Sequence, residues 1–469
     1  MPGVVILNRD APPSRGAPTN TGQSFVAGLA EKGPTDRAVK VTSLGGFVRS
    51  FGERQTNSVL YDSIETFFRE GGAEAYVSRV VGPAAAPADV ALGSAVIITA
   101  KSAGEWGNDL RVEVVTATGG FEIVVTDPDG TELERSPVVA DKAAAIAWSA
   151  NSTYVDVTSG GADPLAAATE TALTGGSDDR AAVTDDDWGD ALDRFIDTYG
   201  PGQVWAPGVS TDGVHDALLN HAAANNRVAL LDAPDTATVG TIVASAAAAR
   251  ENANAAYGAM FGPPATIPGL VGGSSRTVPY SAVQAGLEAR RDRATSPGVA
   301  AAGRNYPLQY ATGLTHEFSN ADREALEAAS VNAAKTVYGV IETYLYRSLV
   351  DRDADPAYWQ LNYARMRMAL TAHGQSIGES YYLAQIDGQG IKASAFGGAL
   401  AGMCMTFYNQ GSLFGETPDE AFRVDVGETV NTPETIAEGE LRAVISVRLS
   451  PHAEMVVIEF VKTPITQAV

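Results

Sequence analysis

The chain has 469 residues, which is enough for about three domains of roughly 150 residues each. Acidic residues outnumber basic residues 56 to 33, and the net charge of −23 excludes nucleic acid binding as the main function, because such a polyanion repels phosphates. A single cysteine, Cys404, excludes an internal disulfide framework and fits a reducing compartment. The sequence has no long apolar run and no signal-peptide pattern, which predicts a soluble chain without membrane anchoring.

The first 85 residues predict an apolar arm followed by part of a mixed core. Residues 4–7 are aliphatic, but the proline-rich stretch 11–18 after them can form neither a helix nor a central strand. Strand patterns follow at 24–28 and 75–81, and an amphipathic helix pattern covers 57–70. The aliphatic arm therefore has no partner strand close to it in sequence.

A change of hydrophobic period marks a second region, which begins after a Gly- and Pro-rich linker. Apolar and polar residues alternate there with a period of two, as in strands. Residues 109–118 and 121–126 flank Gly119-Gly120, which predicts a tight hairpin. We therefore predict a small inserted antiparallel β domain over residues 86–180.

A third region, residues 181–330, has the pattern of an α/β unit. Short apolar strands alternate in it with helices, the strands at 203–206, 227–232 and 257–261 and the helices at 213–225 and 238–256. Apolar strands separated by helices are typical of a parallel sheet that is covered on both faces. The region is therefore predicted to be an inserted α/β domain.

The last region of the chain predicts one long helix and two strands. The helix covers 356–372, with Asp355 as its N-cap and Gly374 as its stop. Residues 441–449 alternate between apolar and polar side chains, which is typical of a half-buried strand, and 455–461 predict a final apolar strand. The chain is thus predicted to end, as it begins, with an apolar strand.

One motif resembles the nucleophile elbow of α/β hydrolases. Residues 374–378 read Gly-Gln-Ser-Ile-Gly, and Asp425 and His452 follow in hydrolase order. The elbow needs a strand before Ser376 and a helix after it, whereas the predicted order is the reverse. We therefore prefer a helix C-cap loop here, and an α/β hydrolase using Ser376 is kept only as the alternative function.

A second motif, at 388–393, matches the dinucleotide pattern Gly-x-Gly-x-x-Ala. It lacks a parallel strand after it and an acidic residue about 20 positions later, so a Gly-rich turn is the better interpretation. No Walker A, His-Glu-x-x-His or EF-hand pattern occurs, and the five histidines are scattered. The sequence therefore predicts no enzyme, no metal site and no cofactor.

Short motifs spread over nearly the whole chain share their residues and their order with one known family. They lie at 2–5, 28–34, 41–43, 51–52, 67–72, 76–80, 103–108, 205–208, 231–234, 278–281, 285–287, 422–424, 431–433 and 451–454. Together they resemble the contractile-tail sheath family, which is found in contractile-tailed phages and related injection systems.

The resemblance implies a multidomain protein of α/β and β class. An α+β sheath core would be made from both chain ends, residues 1–85 and 331–469, with the β domain 86–180 and the α/β domain 181–330 inserted. It also implies a structural subunit that polymerises as stacked hexameric rings around an inner tube and contracts to drive the tube through a target envelope. The expected partners are further copies of the chain, the inner tube protein, and the baseplate and tail terminator proteins, in a virion tail assembled in the host cytoplasm. Whether the tail is that of a phage or of a non-viral injection system stays open.

Two sets of residues are candidates for the assembly role. Both terminal strands are expected to pair with neighbouring subunits, because strand addition satisfies backbone groups at a sheet edge. On the predicted helix, Arg365 and Arg367 are possible tube-facing cations, with pairing inside the subunit or simple solvation as the alternative. The residues expected to exchange strands are Val4, Val5, Ile6, Leu7, Val456, Val457, Ile458 and Phe460.

Overall fold

A computed structural model describes residues 19–454 of the chain. The predicted arm at 4–7 and the predicted final strand at 455–461, with all eight strand-exchange candidates, lie outside the described residues. Within residues 19–454, no helix is both long enough and apolar enough to cross a membrane.

Most helices of the described residues lie outside the predicted β region, which contains α3. They are α1 (Leu44–Phe51), α2 (Leu60–Glu70), α3 (Lys142–Ser149), α4 (Asp185–Asp193), α5 (Asp212–Ala224), α6 (Val239–Arg250), α7 (Tyr280–Ala294), α8 (Asn320–Ala328), α9 (Leu361–Glu379), α10 (Ile391–Asn409), α11 (Pro418–Ala421) and α12 (Pro433–Ala437).

The strands fall into several sheets. They are β1 (Ser24–Leu29), β2 (Val39–Val41), β3 (Ala75–Val80), β4 (Asp89–Leu92), β5 (Val96–Ala100), β6 (Arg111–Ala117), β7 (Gly120–Thr126), β8 (Glu132–Arg135), β9 (Val155–Ser159), β10 (Ala168–Ala172), β11 (Gln203–Trp205), β12 (Val228–Asp232), β13 (Gly258–Gly262), β14 (Ala265–Pro268), β15 (Ser275–Val278), β16 (Gly313–Leu314), β17 (Val331–Val337), β18 (Val340–Thr343), β19 (Phe422–Asp425) and β20 (Val444–Val447).

The largest sheet has eight strands in the order β18-β17-β13-β12-β11-β1-β3-β2. The six central strands are parallel, and the two edge strands are antiparallel to their neighbours. Helices α1, α2, α7 and α9 pack on one face of this sheet, and α4, α5, α6 and α8 pack on the other. Each face has its own hydrophobic cluster. Apolar strands such as β12, Val-Ala-Leu-Leu-Asp, are buried throughout, as expected of a sheet covered on both sides.

The parallel strands of region 181–330 do not form a sheet of their own, although β14, β15 and β16 of this region form a small antiparallel sheet. Its strands β11, β12 and β13 lie between β1 on one side and β17 on the other, with Ser24 opposite Gln203 and Met260 opposite Val331. The parallel sheet predicted for this region is therefore present but extends beyond residues 181–330 on both sides. Neighbouring strands of a parallel sheet can be far apart in sequence, so the strand pattern of one region does not reveal the partners of its outermost strands.

The β region, by contrast, has a core of its own. Its sheets are β4-β5-β9 and β10-β6-β7-β8, and its buried cluster runs from Ala88 to Leu173. The hairpin predicted at Gly119-Gly120 is confirmed by the β6–β7 register, in which Ala117 lies opposite Gly120. Gly119 has a φ of 95°, which favours glycine in this tight turn.

One buried arginine joins the β region to the main sheet. Arg79, at the end of β3, is fully buried and donates to three carbonyl oxygens within residues 30–33 and to Ala103 O at 2.6 Å. It also forms an ion pair with Asp178, at the other border of the β region. Burial lowers the pKa of Arg79 to about 10, and the charge of Asp178 partly offsets this effect. The joint is thus a buried polar hub and not a loose linker.

The C-terminal layer consists of α9, α10, β19 and β20 around a fourth cluster. The predicted helix boundaries here are wrong. Asp355 accepts from the Ala357 N–H in a turn, whereas the helix begins at Leu361 with Gln360 as its N-cap. Gly374 lies within α9 because an isolated glycine only weakens a helix by about 1 kcal/mol and does not end it.

Candidate assembly site

A two-stranded sheet in the C-terminal layer has two open edges. Strands β19 and β20 pair from Phe422 opposite Val447 to Asp425 opposite Val444, and no third strand bonds to them among residues 19–454. Their apolar side chains pack on α10, as the predicted alternation of 441–449 requires. An isolated strand pair is marginal in water, so this sheet is suited to accept further strands.

The described chain ends at Glu454, close to the start of α9. The amide of Asn362 donates to Ser450 O at 3.0 Å, and Gln360 exchanges two hydrogen bonds of 3.1 Å with the backbone of His452. Arg347 holds Glu454, with Nε 3.0 Å from Oε1. Burial disfavours ionisation of Glu454, but the neighbouring His452 and the hydrogen bonds from Arg347 outweigh it and lower its pKa to about 2. Residues 450–454, the last that the structure describes, are therefore held on the start of α9 and on Arg347.

The N-terminal segment is anchored on the neighbouring helix α7. The Thr21 hydroxyl donates to Oδ2 of Asp292 at 2.6 Å, and Gln203 donates to Thr21 O at 3.1 Å. Arg365 of α9 donates to the same carboxylate oxygen of Asp292, also at 2.6 Å. Helix α9 is thus tied to both ends of the described chain, to the first through Arg365 and Asp292 and to the last through Asn362.

Asp292 ends a buried polar stripe on α7. Tyr280, Gln284, Glu288 and Asp292 are four residues apart and therefore share one helix face; the first three are buried, and the side chain of Asp292 is 7% exposed. Hydrogen bonds join Tyr280 to Gln284 through the hydroxyl of Thr343. Gln284 donates to Glu288 at 2.8 Å. The stripe connects the carboxyl edge of the main sheet with the anchor of the N-terminal segment.

Two carboxylates of this stripe share one guanidinium. Arg365 pairs with Glu288 and Asp292, and Tyr346 donates to Glu288 at 2.6 Å. Burial lowers the pKa of Arg365 to about 9. Burial also raises the pKa of Asp292 to about 7, although Thr21 donates to its carboxylate. The cluster therefore has a proton that it can lose near neutral pH.

The two candidate tube-facing arginines lie in different environments. Arg365 is 1% exposed and pairs with Asp292, so it has no free surface with which to face a tube. Its position in the subunit corresponds to the alternative given above, pairing inside the subunit. Arg367 is half-buried, with its guanidinium carbon 3.6 Å from the ring centre of Tyr257 and 4.7 Å from that of Tyr358. A tube-facing role for Arg367 stays a prediction.

The hydrolase motif does not form an elbow. Ser376 lies inside α9, with helix on both sides of it and no strand before it. His452 contacts Asn362 and Glu454, and Asp425 accepts from the Gly427 N–H. The three side chains share no hydrogen bond within residues 19–454, so the alternative of a Ser376 hydrolase has no structural support.

The Gly-rich motif at 388–393 opens α10. The carboxylate of Asp387 accepts from the N–H groups of Gln389, Ile391 and Lys392 at 2.8–3.0 Å, and these bonds lower its pKa. The N–H groups that could bind a phosphate are thus already bound by the chain itself. Within residues 19–454, no group of three His, Cys, Asp or Glu side chains is placed to hold a metal ion.

The sequence analysis missed the buried polar stripe and the Arg79 hub. The stripe had a readable signal, because Tyr280, Gln284, Glu288 and Asp292 recur at four-residue spacing in one helix and therefore share one face. Nothing in the sequence showed that this face would be buried. Arg79 had no local signal, since its partners come from residues 30–33, Ala103 and Asp178.

Comparison with known proteins identifies the fold. No family model matches the chain, and no curated protein matches it in sequence. Among solved structures, the sheath tail protein of Listeria innocua is 12% identical and has a TM-score of 0.63, with 88% of this chain and 90% of that chain covered. The sheath of the anti-feeding prophage in its contracted state is 14% identical, with 99% of both chains covered and a TM-score of 0.58.

A third similar structure comes from an extracellular contractile injection system. The PVC sheath complex in its contracted state is 13% identical, covers 99% of this chain and 98% of that chain, and has a TM-score of 0.58. The chain therefore has the fold of contractile-tail sheath proteins over nearly its whole length, and the predicted resemblance is confirmed at the level of the fold.

Proposed function

We propose that this chain is the structural subunit of a contractile tail sheath. Copies would stack as hexameric rings around an inner tube, and the sheath would shorten to drive the tube through a target envelope. The observation that carries the proposal is the extent of the structural likeness, which includes 99% of the chain for sheaths in a contracted state. The work would come from relaxation between two packings of the subunits, without nucleotide hydrolysis.

The anchors of both chain ends support a linkage between subunits through exchanged strands. The described residues begin and end at segments held on α7 and α9, and the β19–β20 sheet of the same layer has open edges. The aliphatic residues 4–7 and the mainly apolar residues 456–460 have the composition of strands that could add to such an edge. The subunit bodies could then rotate on contraction while the strands stay paired.

Partners and setting follow from the same proposal. The subunit would contact an inner tube protein, a baseplate and a terminator, and would work in a virion tail. Some of the similar structures are sheaths of contractile injection systems, and the genes beside that of this chain would distinguish the two settings.

Electron microscopy of the purified chain tests the proposal. The wild-type chain should form long tubes built of rings, whereas deletion of residues 1–9 should leave folded subunits that do not polymerise. Val5→Pro removes one backbone donor from the arm and should have the same effect, and Val5→Thr, which keeps that donor, is the matched control. Full-length tubes from the deletion variant would disprove strand exchange through this arm, and small closed oligomers of the wild type would disprove the sheath function.

A further inference from the structure

A cleft of about 640 Å³ separates the β region from the main sheet. One wall is formed by residues 32–37 and Arg49, and the other by 99–103 and 152–156. Four basic side chains line the cleft although the chain as a whole carries a charge of −23. They are Lys32, Arg37, Arg49 and Lys101.

Two of these cations have no acidic partner in the subunit. Lys101 pairs with Asp156 at 2.5 Å, and Arg37 with its neighbour Asp36 at 3.3 Å. Within residues 19–454, by contrast, neither Lys32 nor Arg49 has a carboxylate oxygen within 4.0 Å. The cleft therefore has positive charge that the subunit itself does not neutralise.

Aromatic rings hold Lys32 in place. Its ammonium nitrogen lies 5.6 Å from the ring centre of Trp106 and 5.4 Å from that of Tyr154, both in the β region. Such cation–π contacts stabilise the charge without neutralising it. The ammonium group therefore keeps its capacity to attract a carboxylate from outside the subunit.

The walls of the cleft are fixed relative to one another. The Gly33 N–H donates to the Ser102 hydroxyl at 3.0 Å, directly across the base of the cleft. The Arg79 hub binds the carbonyl groups of Gly33 and Ala103 at 3.1 and 2.6 Å. A preformed cleft loses little conformational entropy when a partner binds, which favours association.

The opposite charge is concentrated in the C-terminal layer. Residues 416–440 contain eight acidic residues and one basic residue, and seven of the eight acids are exposed. In the same subunit this segment packs on the cluster around α9 and α10, and none of its residues lines the cleft. The exposed acids are Glu416, Asp419, Glu420, Glu428, Glu434, Glu438 and Glu440.

We propose that the cleft lined by Lys32 and Arg49 is a docking site for the acidic surface 416–440 of a second copy of this chain. The inference rests on the proposed function, because it supplies a contact between sheath subunits in addition to exchanged strands. Charge attraction at the cleft orients the approaching copy, and it weakens as the Debye length falls from about 10 Å at 0.1 M salt to about 3 Å at 1 M.

Charge reversal in the full-length chain tests the site. Lys32→Glu with Arg49→Glu should raise the protein concentration needed for polymerisation at least tenfold, measured by sedimentation at 0.1 M salt. Adding Glu428→Lys and Glu438→Lys to the same chain should restore polymerisation, because each cleft then meets a surface of opposite charge again. Reversal of two exposed cations outside the cleft, Arg304→Glu with Lys392→Glu, is the matched control.

Each outcome decides a separate point. The variant Lys32→Gln with Arg49→Gln removes the two charges without reversing them. Circular dichroism and melting of this variant show whether lost polymerisation comes from the lost charge or from a disturbed fold. Normal tubes from the cleft-reversed chain would overturn the docking site and leave the sheath function standing. If the fourfold variant does not polymerise, the acidic surface is not the occupant of the cleft. If the control variant loses polymerisation as well, the cleft has no specific role. Absence of any polymer of the wild type would overturn both proposals.

Discussion

The two regions that the sequence marks as insertions differ in how they depend on the rest of the chain. In the β region every named strand pairs with another strand of that region, and all its pairs are antiparallel. In the α/β region β11 pairs with β1 and β13 pairs with β17, so both borders of its sheet lie outside it. A region with its own hydrophobic period is therefore an independent unit only if its strands also find their partners inside it.

The difference predicts two kinds of unfolding. Loss of the α/β strands would split the eight-stranded sheet, since they lie in its centre. Loss of the β region would leave that sheet complete, because the region attaches to it through the Arg79 hub and a backbone hydrogen bond in which the Gly82 N–H donates to Asp178 O at 3.0 Å. The following predictions test this contrast, from the largest expected effect to the smallest.

A buried charge in each region should give the largest effect. Leu230→Asp in β12 and Val125→Asp in β7 each place a carboxylate at a site that is 1% and 0% exposed, respectively. An unpaired buried carboxylate costs several kcal/mol. Hydrogen exchange should show loss of protection throughout the main sheet for Leu230→Asp, but only within the β region for Val125→Asp. Equal loss of protection in both regions from either variant would show that the chain unfolds as one unit.

Removal of the joint should loosen the β region without unfolding either core. Arg79→Met leaves Asp178 buried at 4% exposure without its main partner, which costs about 3–5 kcal/mol. We expect two separate melting transitions and rapid proteolysis at residues 82–87. Arg135→Met, which breaks ion pairs on the surface of the β region, should leave stability nearly unchanged, because water and salt screen exposed ion pairs. A single unchanged transition for Arg79→Met would contradict the role of the hub.

The contrast also separates what the sequence reveals from what it does not. The β6–β7 hairpin was predicted from Gly119-Gly120 because its strands are neighbours in sequence, and α2 was predicted to within three residues from its apolar stripe. The shared sheet was not predicted, because β1 and β11 are joined by packing over about 180 residues of chain. For the candidate site, strand β20 was predicted from the alternation of residues 441–449, whereas the partners of Arg365 were not predicted.

A pH effect should be confined to the main body of the subunit. The pKa of Asp292 rises from 3.8 to about 7 because of burial, so the folded state binds a proton that the unfolded state has lost. This contribution to stability is complete below about pH 4 and is lost as the pH rises to 7, by up to about 1.4 kcal/mol per pH unit. Asp292→Asn should remove this slope, measured as the difference from the wild type in denaturant unfolding. An identical slope in the variant would show that another group binds the proton.

Two glycine substitutions should give the smallest effects, and these should have opposite signs. Gly119 has a φ of 95° and no atom near its missing Cβ, so Gly119→Ala strains the hairpin by about 1–2 kcal/mol without a clash. Gly189 lies within α4, also in open space, and Gly189→Ala should stabilise the main body by about 0.5–1 kcal/mol, because alanine loses less entropy in a helix. Each change adds one methyl group, so backbone conformation alone sets the sign. Melting followed by hydrogen exchange should show that Gly119→Ala lowers stability only in the β region and that Gly189→Ala raises it only in the main sheet. An equal change of stability in both regions from either variant would contradict their independence.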